Sequence, residues 1–264
     1  MTSFLLYMAL GSIAGLLAGL LGIGGGLIIV PVLTIMFTSF GLNEAYILHM
    51  ALGTSLTSII FTSISSMAAH HKREAVIWPT VFKITPGILA GTFSGAWLAS
   101  MLSTNFLKIF FSVFLFYVAT QMLLGIKPKP ARTLPKAPGM FAAGSIIGIF
   151  SSLVGIGGGS LSVPFLIWCN TKMHKAIGTS AAIGFPIAIA GAAGYITTGL
   201  GIKGLPEYSL GFVNLTALLG IVIASMAFAP LGAKLAHSLP VDKLKKIFAG
   251  LLYILGARMM ISLF

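Results

Sequence analysis

Acidic residues are nearly missing from this chain. There are four among 264 residues, and charged residues of both signs make up 8%. A soluble globular domain carries about 25% charged residues, so that class is excluded. The four acids, Glu44, Glu74, Glu207 and Asp242, fall in loops or at the ends of apolar segments. A transporter that moves cations or couples to protons places a carboxylate or histidine in its path, and these positions offer no such carrier. Cysteine is reduced to Cys169. That excludes an internal disulfide and any multi-cysteine metal site, and a small residue at a helix end is the plain reading of it. A membrane-embedded enzyme would need a catalytic cluster, and the scattered His70, His71 and His237 do not make one. The sequence calls for no cofactor, metal or nucleic-acid partner. The net charge of +12 is mostly a matter of membrane topology, though it also suits an anionic substrate.

What fills the space is apolar: 57% of the residues are hydrophobic. The runs are Phe4–Met36, Leu48–Ala69, Ile84–Leu102, Ile109–Gly125, Met140–Trp168, Ile177–Leu200, Leu210–Leu235 and Phe248–Phe264. A bilayer core of about 30 Å takes about 20 apolar residues per helical crossing. Runs this long without alternation are helices rather than barrel strands. The chain reads as an all-α polytopic membrane protein. Its start, MTSFLLYMALGSIAG, has no basic n-region and runs on into a segment that recurs internally, so it reads as a retained helix rather than a signal peptide.

Glycine breaks two of these runs in the same way. Residues 20–33 read LLGIGGGLIIVPVL and residues 153–166 read LVGIGGGSLSVPFL. Two further landmarks recur in the same order, HxxxGTS at His49–Ser55 and His174–Ser180, and GAxLAxxL at Gly95–Leu102 and Gly232–Leu239. The chain therefore divides into an N-terminal repeat, 1–125, and a C-terminal repeat, 140–264. The connection, 126–139, contains KPKPARTLPKAPG, too rich in proline and basic residues for a membrane helix.

Charge placement chooses between two topologies through the positive-inside rule. Eight full crossings would make the repeats parallel and split the basic residues seven against nine. If each GIGGG segment instead turns back and leaves on the side it entered, each half has three crossings and the halves are inverted. One side then collects Lys72, Arg73, Lys83, Lys127, Lys129, Arg132, Lys136, Lys172, Lys175, Lys234, Lys243, Lys245 and Lys246. The other keeps Lys108, Lys203 and Arg258, thirteen against three. The fold expected is two inverted repeats, each a glycine-broken re-entrant or discontinuous helix followed by three transmembrane helices, with both termini outside.

In that arrangement the two clusters meet near the midplane and half-helices begin at glycine, over Leu27–Phe37 and Ser160–Trp168. The first N–H groups of a helix lack intrahelical partners and sit at the positive end of its dipole. Glycine allows φ > 0 and lets a ligand approach without a Cβ in the way. Gly24, Gly25 and Gly26, with Gly157, Gly158 and Gly159, would thus make an anion site without a buried basic side chain. The competing reading is close helix packing, which suits Gly11, Gly15 and Gly19 and also Gly87, Gly91 and Gly95 better than it suits a glycine run. A dinucleotide fingerprint is excluded, because the later glycine and the βαβ context are missing. The hydroxyls of Thr54, Ser55, Thr179 and Ser180 either donate to the ligand or bond backbone near the helix start. His49 and His174 read as caps or interfacial residues. Asn43, Asn170 and Asn214 are weaker candidates.

The paired G-x-G-G-G elements followed by proline, the paired GTS segments and the closing GAxLAxxL helices resemble the TauE/SafE sulfite exporter family over nearly the whole chain. The resemblance implies a bacterial or archaeal cytoplasmic-membrane exporter of sulfite or small organosulfonates. Its glycine elements correspond here to Gly22–Gly26 and Gly155–Gly159. One departure is local: Leu27 stands where the second copy has Ser160, which shifts donors toward the second half. The alternative function is an anion channel, or a permease for another small anion, with the lipid bilayer as the only other partner expected.

Overall fold

The computed structural model describes residues 2–21, 25–125, 129–236 and 241–263. The first repeat holds α1 (Thr2–Leu21), α2 (Gly26–Ser39), α3 (Ile47–Lys72), α4 (Trp78–Ser100) and α5 (Thr104–Leu124). The second holds their counterparts α6 (Ala137–Val154), α7 (Gly159–Trp168), α8 (Met173–Gly199), α9 (Leu215–Ala236) and α10 (Val241–Ile261). Ahead of α9 lies a two-stranded antiparallel hairpin, β1 (Ser209–Leu210) and β2 (Val213–Asn214), which the sequence reading did not foresee. Among the described residues, five helices are long and apolar enough to cross a membrane: Ile47–Lys72, Thr104–Leu124, Ala137–Val154, Met173–Gly199 and Leu215–Gly232.

Local chemistry sets the boundaries. Proline occupies the second position of α4 (Pro79) and of α6 (Pro138), where its missing N–H would lack a helical partner anyway. Helix α6 therefore starts at Ala137, inside the segment read as linker. Ser103 caps α5 by accepting from the Phe106 N–H at 3.2 Å, and Gly125 ends that helix in the left-handed region. Each long apolar run carrying a GIGGG element is split there, and the helix after it begins one residue earlier than expected, at Gly26 and Gly159.

The arms of each broken segment are unequal. The 20 residues of α1 precede 14 in α2, and the 18 of α6 precede 10 in α7. At about 1.5 Å per residue the first arms alone approach the thickness of a bilayer core. Tyr7, early in α1, packs edge-on against Phe37 and Phe40 at the end of α2, with ring centroids 6.4 and 6.1 Å apart. The far end of α2 thus lies beside the start of α1. In the second repeat, Ala131 and Arg132, just before α6, donate backbone N–H groups to the Trp168 carbonyl at the end of α7.

The repeats exchange helices. α1 packs along α9 and its counterpart α6 packs along α4, while α3 meets α8 and α5 meets α10. The exchanged pairs touch backbone to backbone through glycine. A Cβ on Gly11 or Gly15 would stand 2.5 Å from the Ile221 or Ser225 carbonyl oxygen. One on Gly87 or Gly91 would stand 2.1 Å from that of Phe141 or Ser145. These glycines serve packing, as small residues do between membrane helices.

Candidate functional site

The two glycine elements touch. A Cβ on Gly26 would fall 2.4 Å from the Gly155 carbonyl oxygen and 3.2 Å from Ser55 Oγ. The Ser55 hydroxyl donates to that same carbonyl at 2.8 Å. Gly24 lies outside the described residues. Gly25 precedes α2 in an ordinary right-handed conformation, and its carbonyl accepts from Ile28 and Ile29.

The second element is described over its whole length. Gly155 ends α6 at φ 68° and Gly158 precedes α7 at φ 77°, both left-handed conformations that favour glycine. The Gly158 carbonyl accepts from the N–H groups of Leu161 and Ser162. The N–H groups of Gly157, Gly158, Gly159 and Ser160 find no acceptor among the described residues. Successive free amides at a left-handed step leading into a helix form a concave, electropositive nest. Beside it stand two buried hydroxyls without a hydrogen-bond partner, Ser151 Oγ and Ser160 Oγ. Ser151 Oγ lies 3.5 Å from where a Cβ on Gly158 would be. Apolar side chains close the rest: Ile187 and Ile147 near Gly158, Ile59 near Gly157.

The other expected residues divide by role. Thr54 Oγ1 accepts from the Asn214 N–H at 3.0 Å, and Thr179 Oγ1 from the Ile77 N–H, also at 3.0 Å. Asn214 and Ile77 are the residues just before the counterpart helices α9 and α4, so the two threonines tie the repeats together in equivalent ways. Ser180 Oγ is 2.6 Å from Ser162 Oγ, which donates to the Gly158 carbonyl at 2.8 Å. Ser55 and Ser180 therefore reach the second glycine element, directly and through Ser162, whereas the threonines do not.

Sequence reading missed Ser151 and Ser162. Aligning the two GIGGG copies residue by residue, rather than by landmark, would have found them: the first copy has Ala18 and Ile29 at those places. His49 departs from its expected role. It is buried in the first turn of α3, with Nε2 2.9 Å from the Ala99 carbonyl oxygen, so it ties α3 to the end of α4 instead of facing an interface. His174 is exposed. Asn214 caps α9 by accepting from Ala217 N–H and Thr216 Oγ1, Asn43 closes a turn onto Ala45 N–H, and Asn170 ends the α7 segment at φ 60°.

Ionised groups stay outside this region. Among the described residues, the buried polar side chains are serines, threonines, His49 and Asn214, with no lysine, arginine, aspartate or glutamate. Lys175 donates to the Glu74 carbonyl, and the Arg132 guanidinium lies 5.1 Å over the Trp168 ring. Between the connecting segment and the start of α8 opens a cavity of about 370 Å³, bordered by Thr133, Cys169, Lys172 and Lys175. Burial pushes the Cys169 thiol pKa up, and nearby Arg132 pulls it partly back. No metal-binding group of histidine, cysteine and carboxylate side chains occurs among the described residues.

Comparison with known proteins agrees with this architecture. The family model for the sulfite exporter TauE/SafE matches residues 7–259. A probable membrane transporter protein of Haemophilus influenzae is 38% identical, over 99% of both chains. One from Methanocaldococcus jannaschii is 29% identical over 97% of this chain and 95% of its own. Another, from Bacillus subtilis, is 27% identical over 97% of each. No solved structure gives a significant match. A glycine-broken multi-pass bundle, a nest of free amides at the break and a family match over nearly its whole length place this chain in the TauE/SafE sulfite exporter family of membrane transporters.

Proposed function

We propose that the protein exports sulfite or small organosulfonate anions across a bacterial or archaeal cytoplasmic membrane, by alternating access around the two GIGGG elements. The observation that carries this is the run of amides from Gly157 to Ser160 that find no acceptor among the described residues, next to the point where Gly155 meets Gly26, with no lysine, arginine, aspartate or glutamate among the buried side chains described. Broken helices whose N-termini face an anion are a recurring transporter device. Sulfur oxyanions present several acceptor oxygens, matching a lining of donors. The family and the relatives' names support transport; the substrate and its direction are our reading.

The inverted arrangement of the repeats belongs to the same proposal. Three contacts support it. The start of α1 and the end of α2 lie together at Tyr7 and Phe40. The connecting segment meets the end of α7 at Trp168. Lys175 reaches Glu74, which parallel repeats would put on opposite faces. Both termini are then outside, and the basic loops face the cytoplasm.

The test is release of sulfite and simple sulfonates from proteoliposomes, native protein against Gly25→Leu. Saturable release lost in the variant is the expected result. Release that rises linearly with concentration would make the protein a channel instead. No release of any anion would overturn the substrate.

A further inference from the structure

We propose that the ligand site is built around the second glycine element, takes a singly charged oxyanion, and uses the hydroxyls of Ser151 and Ser160 as direct ligands. This rests on the transporter reading above and adds to it the charge state of the substrate and two side chains that hold it.

The asymmetry is explicit in the residues. Around the second glycine element stand Ser151, Ser160 and Ser162; the first element has Ala18, Leu27 and Ile29 at the matching places. A twofold-related packing role would give both copies the same side chains. Ser162 is satisfied by Gly158 and Ser180, whereas Ser151 and Ser160 are not. Ser151 is wholly buried, 0% exposed, and its unbonded Oγ stands at the Gly158 step of the amide nest. A buried hydroxyl without a partner is costly, and here two occur at the N-terminus of one helix beside four amides that have no acceptor among the described residues. An oxyanion seated there would satisfy all of them together.

Charge follows from what is absent near the site. The donors are neutral amides and hydroxyls, and no lysine or arginine is buried among the described residues. The cost of moving an ion out of water rises with the square of its charge. Dipoles at a helix end supply about half a positive charge, enough to compensate one negative charge in large part but not two. A sulfonate or hydrogensulfite fits; a dianion does not.

Methanesulfonate and sulfate separate the two charge states, since both are tetrahedral and neither titrates near neutrality. Thermal unfolding of the full chain in lipid nanodiscs is followed with each anion, at ionic strength matched by chloride. Ser112 on α5 is also buried without a partner and lies outside the site, so Ser112→Ala is the control. We expect methanesulfonate to raise the midpoint of wild type and Ser112→Ala saturably, and sulfate to leave it unmoved. Ser151→Ala and Ser160→Ala should unfold at or above the wild-type midpoint without anion, yet lose about tenfold in methanesulfonate affinity, the usual effect of one hydrogen bond to a charged group. Wild-type affinity in both serine variants would overturn the assignment of the hydroxyls, as would a lowered midpoint without anion, which would mean that they bond within the protein. A sulfate response equal to that of methanesulfonate would overturn the charge state. A wild type that releases sulfite from vesicles but ignores methanesulfonate sinks this inference alone; one that does neither sinks the transport reading with it.

Discussion

Ser55 of the first repeat donates a hydrogen bond of 2.8 Å to the carbonyl of Gly155 in the second, at the place where Gly26 comes closest to that same oxygen. One hydroxyl thus fixes the distance between the two broken helices. Ser55→Ala should lower stability by about 1–3 kcal/mol through the acceptor left bare. Gly26→Ala should be worse, because its Cβ would stand 2.4 Å from backbone. Thermal unfolding of the two variants side by side checks the order.

Thr54 and Thr179 should behave as a pair. Each hydroxyl accepts the N–H just before a helix of the other repeat, so Thr54→Val and Thr179→Val should each destabilise by about 1–3 kcal/mol. Neither should change the concentration at which transport saturates. A shifted saturation with unchanged stability would make them ligands instead.

Gly158→Ala should abolish transport with most of the bundle intact. The residue sits at φ 77°, and a Cβ there would come within 2.4 Å of Ile187 Cδ1. A left-handed alanine costs about 1–2 kcal/mol, and the added methyl would displace the nest. Helical content measured by circular dichroism should stay near wild type while flux is lost; wild-type flux would show that the nest is not used.

Thiol chemistry reports on the mouth of the basic cavity. Only the thiolate attacks maleimides, and a raised pKa means less thiolate at neutral pH. Cys169 should therefore label more slowly than an exposed cysteine at pH 7, and its rate should keep rising at pH values where the exposed thiol has levelled off. Labelling as fast as a free thiol at pH 7 would mean that the site is not buried.

Topology can be read with single cysteines in a Cys169→Ser background. Thr133 and Tyr208 are both exposed. With inverted repeats, Thr133→Cys and Tyr208→Cys should label with an impermeant maleimide from opposite sides of the membrane. Eight crossings would put both on one side.

The architecture was legible because the repeat carries its own punctuation. Two matched glycine runs marked the breaks within a residue of where α2 and α7 start, and the run lengths announced a bundle. The β1–β2 hairpin was not legible, since its strands are two residues each and only Gly211 marks the turn. Burial of His49 was hidden for another reason: its acceptor, the Ala99 carbonyl, is 50 residues away, and no local pattern announces such a partner. Half of the candidate site was visible as glycine and GTS. The rest, Ser151 above all, sits in an ordinary apolar helix and is singled out only by what its hydroxyl fails to touch.

The exchange of helices between repeats bears on how the chain is made. Ribosomes deliver α1 first, yet its main partner, α9, is more than two hundred residues downstream. Through most of synthesis the glycine face of α1 has only lipid or a translocation partner against it. The second repeat does not face the same delay, because α4 is already in place when α6 emerges. Assembly should therefore proceed from the middle outward, with α1 finding its main partner only once α9 has emerged. A chain halted at Gly125 would contain every element of the first repeat and still be unable to hold it closed.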